Sequence, residues 1–251
     1  MLFFKNFQEN TSEYTVKKQK TGIILLNMGG PDSQDDVAPF LYNLFSDREI
    51  IRLGPPLLQK PLAWFISRRR APKSRLIYQK IGGGSPLLAI TRQQAAALQE
   101  NLKEEGDFTV TVAMRYWPPF ADEAVQLLLG EKVDAITALT LYPHYSKATT
   151  GSSVIQLKKS VNQLAPHIPL KIISSYPTQP LYIKALADTI NAGLKLFPND
   201  NIQVIYSAHS LPVSFIKDGD PYVDHINATI RELEDITKQR GRLCFQSSSG
   251  P

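Results

Sequence analysis

The sequence predicts an α/β protein built from parallel sheets that are covered by helices. Short apolar runs alternate with longer helical segments along the chain, and this alternation is typical of strand–helix–strand units. The chain has 251 residues and 43% of them are hydrophobic, which is enough for one large or two modest domains. No internal repeat or low-complexity tract interrupts the pattern.

The first half of the chain contains three cycles of this kind. The predicted strands cover 22–28, 108–116 and 133–143, and the predicted helices cover 85–106, 120–132 and about 152–164. In the first of these helices we expect Ser85 as the N-cap, Pro86 in the first turn and Gly106 as the stop signal.

The second half continues the alternation. The predicted strands cover 170–177, 201–208 and 242–246, and helices are predicted over 180–196 and after Pro221. The stretch from Pro166 to Pro169 is the expected boundary between two units, with one long sheet as the alternative. The predicted organisation is a disordered leader over 1–20, a first α/β domain over 21–165 and a second over 166–251. No helix follows the strand at 242–246, so we expect the second domain to be incomplete.

Composition and charge exclude several classes of function. The net charge of +5 is mild, so it favours an anionic small molecule or an acidic membrane surface over nucleic acid. A single cysteine, Cys244, excludes an internal disulfide and a multi-cysteine metal site. No run of apolar residues is long enough to span a membrane, and no secretory signal is recognisable. The cytoplasm is therefore the expected compartment, with possible contact to a membrane surface.

Polar, aromatic and turn-forming residues follow the predicted strands where they end. The segments are NMGGP, RYWPP, YPHYSKATTGSS, HSLP and QSSSGP. Because ligands bind beyond the carboxyl ends of parallel strands, we expect these segments to line one broad pocket suited to a large, flat ligand. NMGGP matches neither a dinucleotide fingerprint nor a P-loop, so it does not indicate a nucleotide.

His209 is the candidate catalytic residue within this pocket. An imidazole can take a proton or bind a metal near neutral pH, but position alone leaves a structural role equally open. His144 also follows a strand and is ambiguous, whereas His167 and His225 fit structural or solvated positions. The segment 57–70 combines apolar side chains with a basic run, which favours either a solvated helix end or an apolar lip that touches a membrane.

Several longer segments together resemble one enzyme family. They are LLNMGGPDSQDDVAPFLYNLFSDREII, RRRAPKSRLIYQKIGGGSPL, MRYWPP, LTLYPHYSKATTGSS and YSAHSLP followed by GDPY. In this order, from about Thr21 to Pro251, they resemble ferrochelatase, the enzyme that inserts ferrous iron into a porphyrin to complete haem. The resemblance implies two Rossmann-like, chelatase-type α/β domains with a porphyrin cleft between them.

The resemblance also implies roles for individual residues. His209 matches the catalytic histidine of the family, which accepts pyrrole protons or ligates the incoming iron; both roles stay open. The residues that match the family's porphyrin-binding positions are Met28, Arg70, Lys73, Tyr78, Ser85, Arg115, Tyr116 and Tyr142. Ferrous iron and the porphyrin, with protoporphyrin IX expected, are substrates, no resident cofactor is expected, and an iron–sulfur cluster is left undecided.

The family's pattern continues beyond the last residue of this sequence. It includes a glutamate that faces the catalytic histidine, and no residue here matches that position. We therefore expect the chain alone to insert metal poorly. The alternatives are a non-catalytic porphyrin-binding protein and a chelatase for another tetrapyrrole or metal.

Overall fold

The computed structural model describes residues 19–197 and 201–247, so most of the predicted leader lies outside the described residues. The first half runs β1 (Lys20–Asn27), α1 (Val37–Ser46), a 3₁₀ turn (Pro56–Leu58), α2 (Gln59–Lys80), α3 (Leu87–Asn101), β2 (Asp107–Met114), α4 (Ala121–Gly130), β3 (Ala135–Thr140), a π-helical turn (Lys147–Gly151), α5 (Ser152–Leu164) and β4 (Leu170–Ile173). The second half runs α6 (Pro180–Leu194), β5 (Val204–His209), α7 (Val213–Lys217), α8 (Tyr222–Thr237) and β6 (Gly241–Gln246).

Four parallel strands form the first sheet in the order β2-β1-β3-β4. The central strand β1 is buried on both faces, as expected for a parallel sheet between two layers of helices. On one face, Ile24 and Leu26 pack with the apolar sides of α4 and α5. On the other face, Ile23 and Leu25 pack with Ala95 of α3. The predicted α/β class with parallel sheets flanked by helices is confirmed.

Helices α1 and α2 form a separate layer beside this sheet. Val37, Phe40 and Phe45 of α1 make a buried cluster with Ala63 and Ala71 of α2. Helix α2 continues through Pro72 without a break, so the basic run lies inside a long helix rather than at its end.

The second sheet contains the parallel strands β5 and β6. Helices α6 and α8 cover one face through Ile183, Ala187 and Leu233, which pack near Tyr206. The other face of β5 is open, and Ile205 on that face is 63% exposed.

Two details of the sequence prediction need correction. The sequence pattern places residues 170–177 in the second domain, but β4 pairs with β3, with Ile136 opposite Leu170, and so extends the first sheet. The crossover through α5 returns the chain to the neighbouring position in the same sheet, as is usual for parallel strands. The division into domains itself stays a prediction. Helix α3 begins at Leu87 and ends at Asn101, so it stops before the expected end at Gly106, and its N-cap is Pro86 rather than the expected Ser85. The Ser85 Oγ, one residue earlier, accepts a hydrogen bond from the Leu87 N–H at 3.3 Å.

Candidate active site

The carboxyl ends of β1, β2 and β3 meet at one edge of the first sheet, and the residues that follow them remain joined. The backbone N–H groups of Arg115 and Tyr116 donate to the carbonyls of Asn27 and Met28, both at 2.9 Å. The N–H of Leu141 donates to the carbonyl of Leu26 at 2.9 Å. The pairing of the strands therefore extends into the loops, which fixes the first three predicted pocket segments relative to one another.

A buried carboxylate, Asp47, lies at the end of α1 next to these loops. Its Oδ2 accepts hydrogen bonds from the Arg115 Nη2 at 2.8 Å and from the Tyr116 hydroxyl at 2.7 Å. The Ser152 hydroxyl donates to the same oxygen, and the Glu49 N–H donates to Oδ1 at 2.9 Å. Burial alone would raise the pKa of the Asp47 carboxyl, but these hydrogen bonds and the charge of Arg115 hold it below its usual range.

This network explains where the structure places two of the predicted porphyrin-binding residues. Tyr116 is 2% exposed and its hydroxyl is occupied by Asp47, while Arg115 also donates from Nε to the Ser152 Oγ at 2.6 Å. Burial, followed by the charge of Asp47, raises the pKa of Tyr116, so its hydroxyl stays protonated. Arg115 and Tyr116 thus support the loops from the inside of the molecule.

The two glycine-rich segments pack backbone against backbone. The Ser85 N–H donates to the Pro31 carbonyl at 2.7 Å, and a Cβ on Gly84 would lie 2.1 Å from the Asp32 carbonyl oxygen. A Cβ on Gly30 would lie 2.5 Å from the Ser85 Oγ. Glycine is required at both positions because a side chain would separate the segments. Met28, at the start of this contact, is half-buried against the α1–α2 cluster.

Helix α2 contributes the remaining predicted residues of the first half. Arg70 and Lys73 are exposed, and the Arg70 guanidinium carbon lies 5.4 Å from the centre of the Phe45 ring. Tyr78 packs against the α1–α2 cluster, and burial raises its pKa. Near the start of the helix, a group of apolar side chains faces solvent, which we call the apolar lip: Leu57, Leu58, Trp64 and Phe65.

The loop after β3 contacts helix α8. The Thr229 hydroxyl donates to the Pro177 carbonyl at 2.7 Å, so the His144 Nε2, 2.8 Å from the same oxygen, acts as the donor to it. Burial, with a smaller contribution from His225, lowers the pKa of His144 to about 4, so His144 is neutral at pH 7. Tyr142 precedes this loop, and burial raises the pKa of its hydroxyl.

His209 is the last residue of β5 and its side chain is exposed. Within residues 19–197 and 201–247, no hydrogen bond or ion pair engages its ring. A cavity of about 420 Å³ beside β5 is lined by both His209 and His144, together with Tyr182 and Tyr222. The structure thus brings His144, in the loop after β3, and His209, at the end of β5, to the same cavity.

A second cavity, of about 520 Å³, lies between the two halves of the chain; we call it the interdomain cleft. One wall is the segment 48–52, which directly follows Asp47, and the other wall includes Pro212 and Phe215, just after His209. Ile50 and Ile51 are apolar members of the first wall; Arg48, Arg52, Lys147, Glu49 and Asp218 supply charge. This combination of apolar surface and a few charged groups is typical of small-molecule sites.

Comparison with known proteins identifies the chain. A family model described as ferrochelatase matches residues 20–251. This chain belongs to the ferrochelatase family. It is 60% identical over 231 residues to a ferrochelatase of Desulfotalea psychrophila, a match that covers 92% of this chain and 72% of the relative. It is 48% identical over 236 residues to a ferrochelatase of Geotalea daltonii, with 93% and 73% coverage, and 45% identical over 243 residues to one of Synechocystis, with 92% and 62% coverage.

The family membership confirms the expected activity: this is an enzyme of haem biosynthesis that inserts metal into a porphyrin. The roles of individual residues stay predictions. Sequence reasoning missed Asp47 and the walls of the interdomain cleft, since nothing in the stretch SDREII separates a buried acid from a solvated one.

Proposed function

We propose that this ferrochelatase binds protoporphyrin IX in the interdomain cleft and that His209 serves the metallation step. The observation that carries the proposal is the position of the cleft, whose second wall begins three residues after His209. Ile50, Ile51 and Phe215 offer apolar surface for the macrocycle, while Arg52 and Lys147 offer charge for the propionates.

The chemistry of metallation needs a group such as His209. Two protons must leave the pyrrole nitrogens when iron enters, so a base within hydrogen-bonding reach accelerates the reaction. Imidazole can also ligate ferrous iron, and both roles remain part of the proposal. In the described part of the chain, no group of three or more His, Cys, Asp or Glu residues is arranged to hold a metal. Iron enters this proposal as a substrate, and no resident cofactor is required.

Further porphyrin contacts are proposed on the first half of the chain. Met28, Arg70, Lys73, Tyr78, Ser85 and Tyr142 retain their predicted binding roles. Arg70 and Lys73 are exposed and therefore free to meet propionates. Arg115 and Tyr116 act in this proposal by holding the loops through Asp47, because their polar atoms already bond inside the protein.

The test compares His209→Ala with His167→Ala, a control at an exposed loop position. Loss of free-porphyrin fluorescence follows the insertion of Zn²⁺ or Fe²⁺, and fluorescence titration without metal gives the porphyrin affinity. We expect His209→Ala to lower insertion by about 100-fold or more, the usual contribution of a positioned base, with affinity changed less than about threefold. Retained turnover would contradict the role of His209. Running protoporphyrin and coproporphyrin in parallel tests the substrate.

We also propose that the apolar lip rests on an anionic membrane surface from the cytoplasmic side. Leu57 is 91% exposed and Phe65 is 58% exposed, and the basic run 68–70 follows on the same helix. Apolar side chains beside arginines are typical of peripheral membrane contacts. No helix in the described ranges combines the length and the apolar composition that crossing a bilayer requires.

A further inference from the structure

A second buried carboxylate, Asp220, lies directly before helix α8. Asp220 is 4% exposed. Its Oδ2 accepts hydrogen bonds from the Ser146 hydroxyl at 3.0 Å and from the Lys147 N–H at 2.7 Å. Its Oδ1 accepts from the Tyr222 N–H at 3.1 Å. One carboxylate therefore joins the loop after β3 to the first residue of α8, and so connects the two halves of the chain.

The position of Asp220 explains how a buried charge is tolerated there. Among the described residues, no lysine, arginine or histidine forms an ion pair with it. The N-terminus of α8 and the N–H at the start of the π-helical turn supply partial positive charge instead. Breaking these hydrogen bonds would leave buried polar groups without partners, which makes the contact costly to open.

From Asp220 the connection continues to the candidate catalytic residue. Tyr222 lies next to the backbone of His209, and both residues line the 420 Å³ cavity. The Tyr222 side chain thus lies against the end of β5, while the Tyr222 N–H donates to Asp220. The path from the first half of the chain to His209 runs through Asp220 and Tyr222, which lie two positions apart at one helix terminus.

We infer that Asp220 is a positioning residue for His209, because it fixes the start of α8, and with it Tyr222, against the loop after β3. The inference rests on the proposed role of His209 in metallation. Asp220 thereby fixes the position of the His209 imidazole relative to the first half of the chain, which forms the opposite wall of the cleft.

The plain alternative is that Asp220 only caps helix α8. Asp224 provides a matched control, since it is an exposed acid in the first turn of the same helix. Asp224→Asn removes the same charge from the same helix terminus without touching the loop after β3. Ser146→Ala removes one donor to Asp220 from the other side of the contact and serves as a milder variant should Asp220→Ala fold poorly.

Two measurements on the full chain separate these possibilities. Hydrogen exchange reports the protection of 144–151, 207–211 and 220–226, and NMR reports the Cε1–H signal of His209, with His167 as the internal reference. For Asp220→Ala we expect protection to fall by roughly tenfold or more in all three segments, together with a shifted His209 signal. Ser146→Ala should give a smaller change of the same pattern, and Asp224→Asn should affect 220–226 alone.

Loss of protection confined to 220–226 in Asp220→Ala, with an unchanged His209 signal, would overturn the inference and leave a helix cap. Equal effects of Asp224→Asn and Asp220→Ala would also overturn it, because charge at the helix terminus would then be the cause. These readouts need no turnover. Retained activity in His209→Ala would therefore contradict the proposed function, whereas the hydrogen-exchange result would contradict only the role of Asp220.

Discussion

The Asp47 network gives the sharpest test of how the site is held together. Asp47→Asn removes the charge that pairs with Arg115, in a contact where the side chains are 6% and 22% exposed. Removing one partner of a buried ion pair costs about 3–5 kcal/mol. The partial exposure of Arg115 and the remaining amide oxygen place the expected loss near the lower end, at about 3 kcal/mol at pH 7. The matched control is Asp188→Asn in the exposed Lys184–Asp188 pair, where less than about 1 kcal/mol is expected.

The pH dependence provides the second part of this test. The folded-state pKa of Asp47 is lower than its unfolded value of about 3.9. Its contribution to stability is therefore complete above that pH and is lost as the pH falls through the folded-state value. Urea unfolding should show the gap between the unaltered chain and Asp47→Asn shrinking below about pH 4. A gap of the same size at pH 7 and in acid, or one below about 1 kcal/mol at pH 7, would refute this reasoning.

Three further predictions concern the lip, the glycine contact and the buried histidine. Leu57→Asp should weaken sedimentation with anionic vesicles by about tenfold or more, since burying a leucine contributes about 1.5–3 kcal/mol. The control Ile155→Asp, at an exposed apolar position on α5, should leave sedimentation unchanged. Equal losses in the two variants would contradict membrane contact through the apolar lip. Gly84→Ala should destabilise the chain by about 1–3 kcal/mol in thermal unfolding, whereas Gly130→Ala, with nothing within 4 Å of its Cβ, should change stability little; similar effects of the two would count against the close contact. His144 has a pKa lowered to about 4, below its unfolded value of about 6.5, so its contribution is complete above pH 6.5 and lost as the pH falls toward 4. His144→Gln should therefore flatten the decline of the melting temperature over that range, and an unchanged decline would show that other groups cause it.

The order of strands and helices could be predicted because each strand of a parallel sheet is an apolar run between helical segments. Sheet membership could not be predicted in the same way. Pro166 and Pro169 resemble a linker in sequence, but they lie in the turn that brings the chain from α5 back to β4. Which strand β4 joins depends on contacts with β3, more than thirty residues earlier in the chain, and these contacts leave no local signal.

The position of the site at one edge of the first sheet could also be predicted from the sequence. Residues that follow strands were expected at one edge, and the hydrogen bonds that join Arg115 to Asn27 confirm this for the first sheet. The direction of each side chain was not predictable. Whether Tyr116 turns toward a ligand or toward the interior depends on Asp47, a residue almost seventy positions away. Distant buried acids of this kind are recognised only when the chain is folded.

The character of the contact between the two halves has a consequence for turnover. In the described residues, each half has its own apolar clusters, and none of these clusters contains side chains from both sides of the cleft. The halves are joined by polar contacts such as those of Asp220 and Thr229. Opening these contacts leaves buried polar groups without partners, so we expect the halves to separate only rarely, although they share no apolar core. A flat, rigid product bound at the proposed site between them would leave only during such openings, so we expect its release to limit the rate of the cycle.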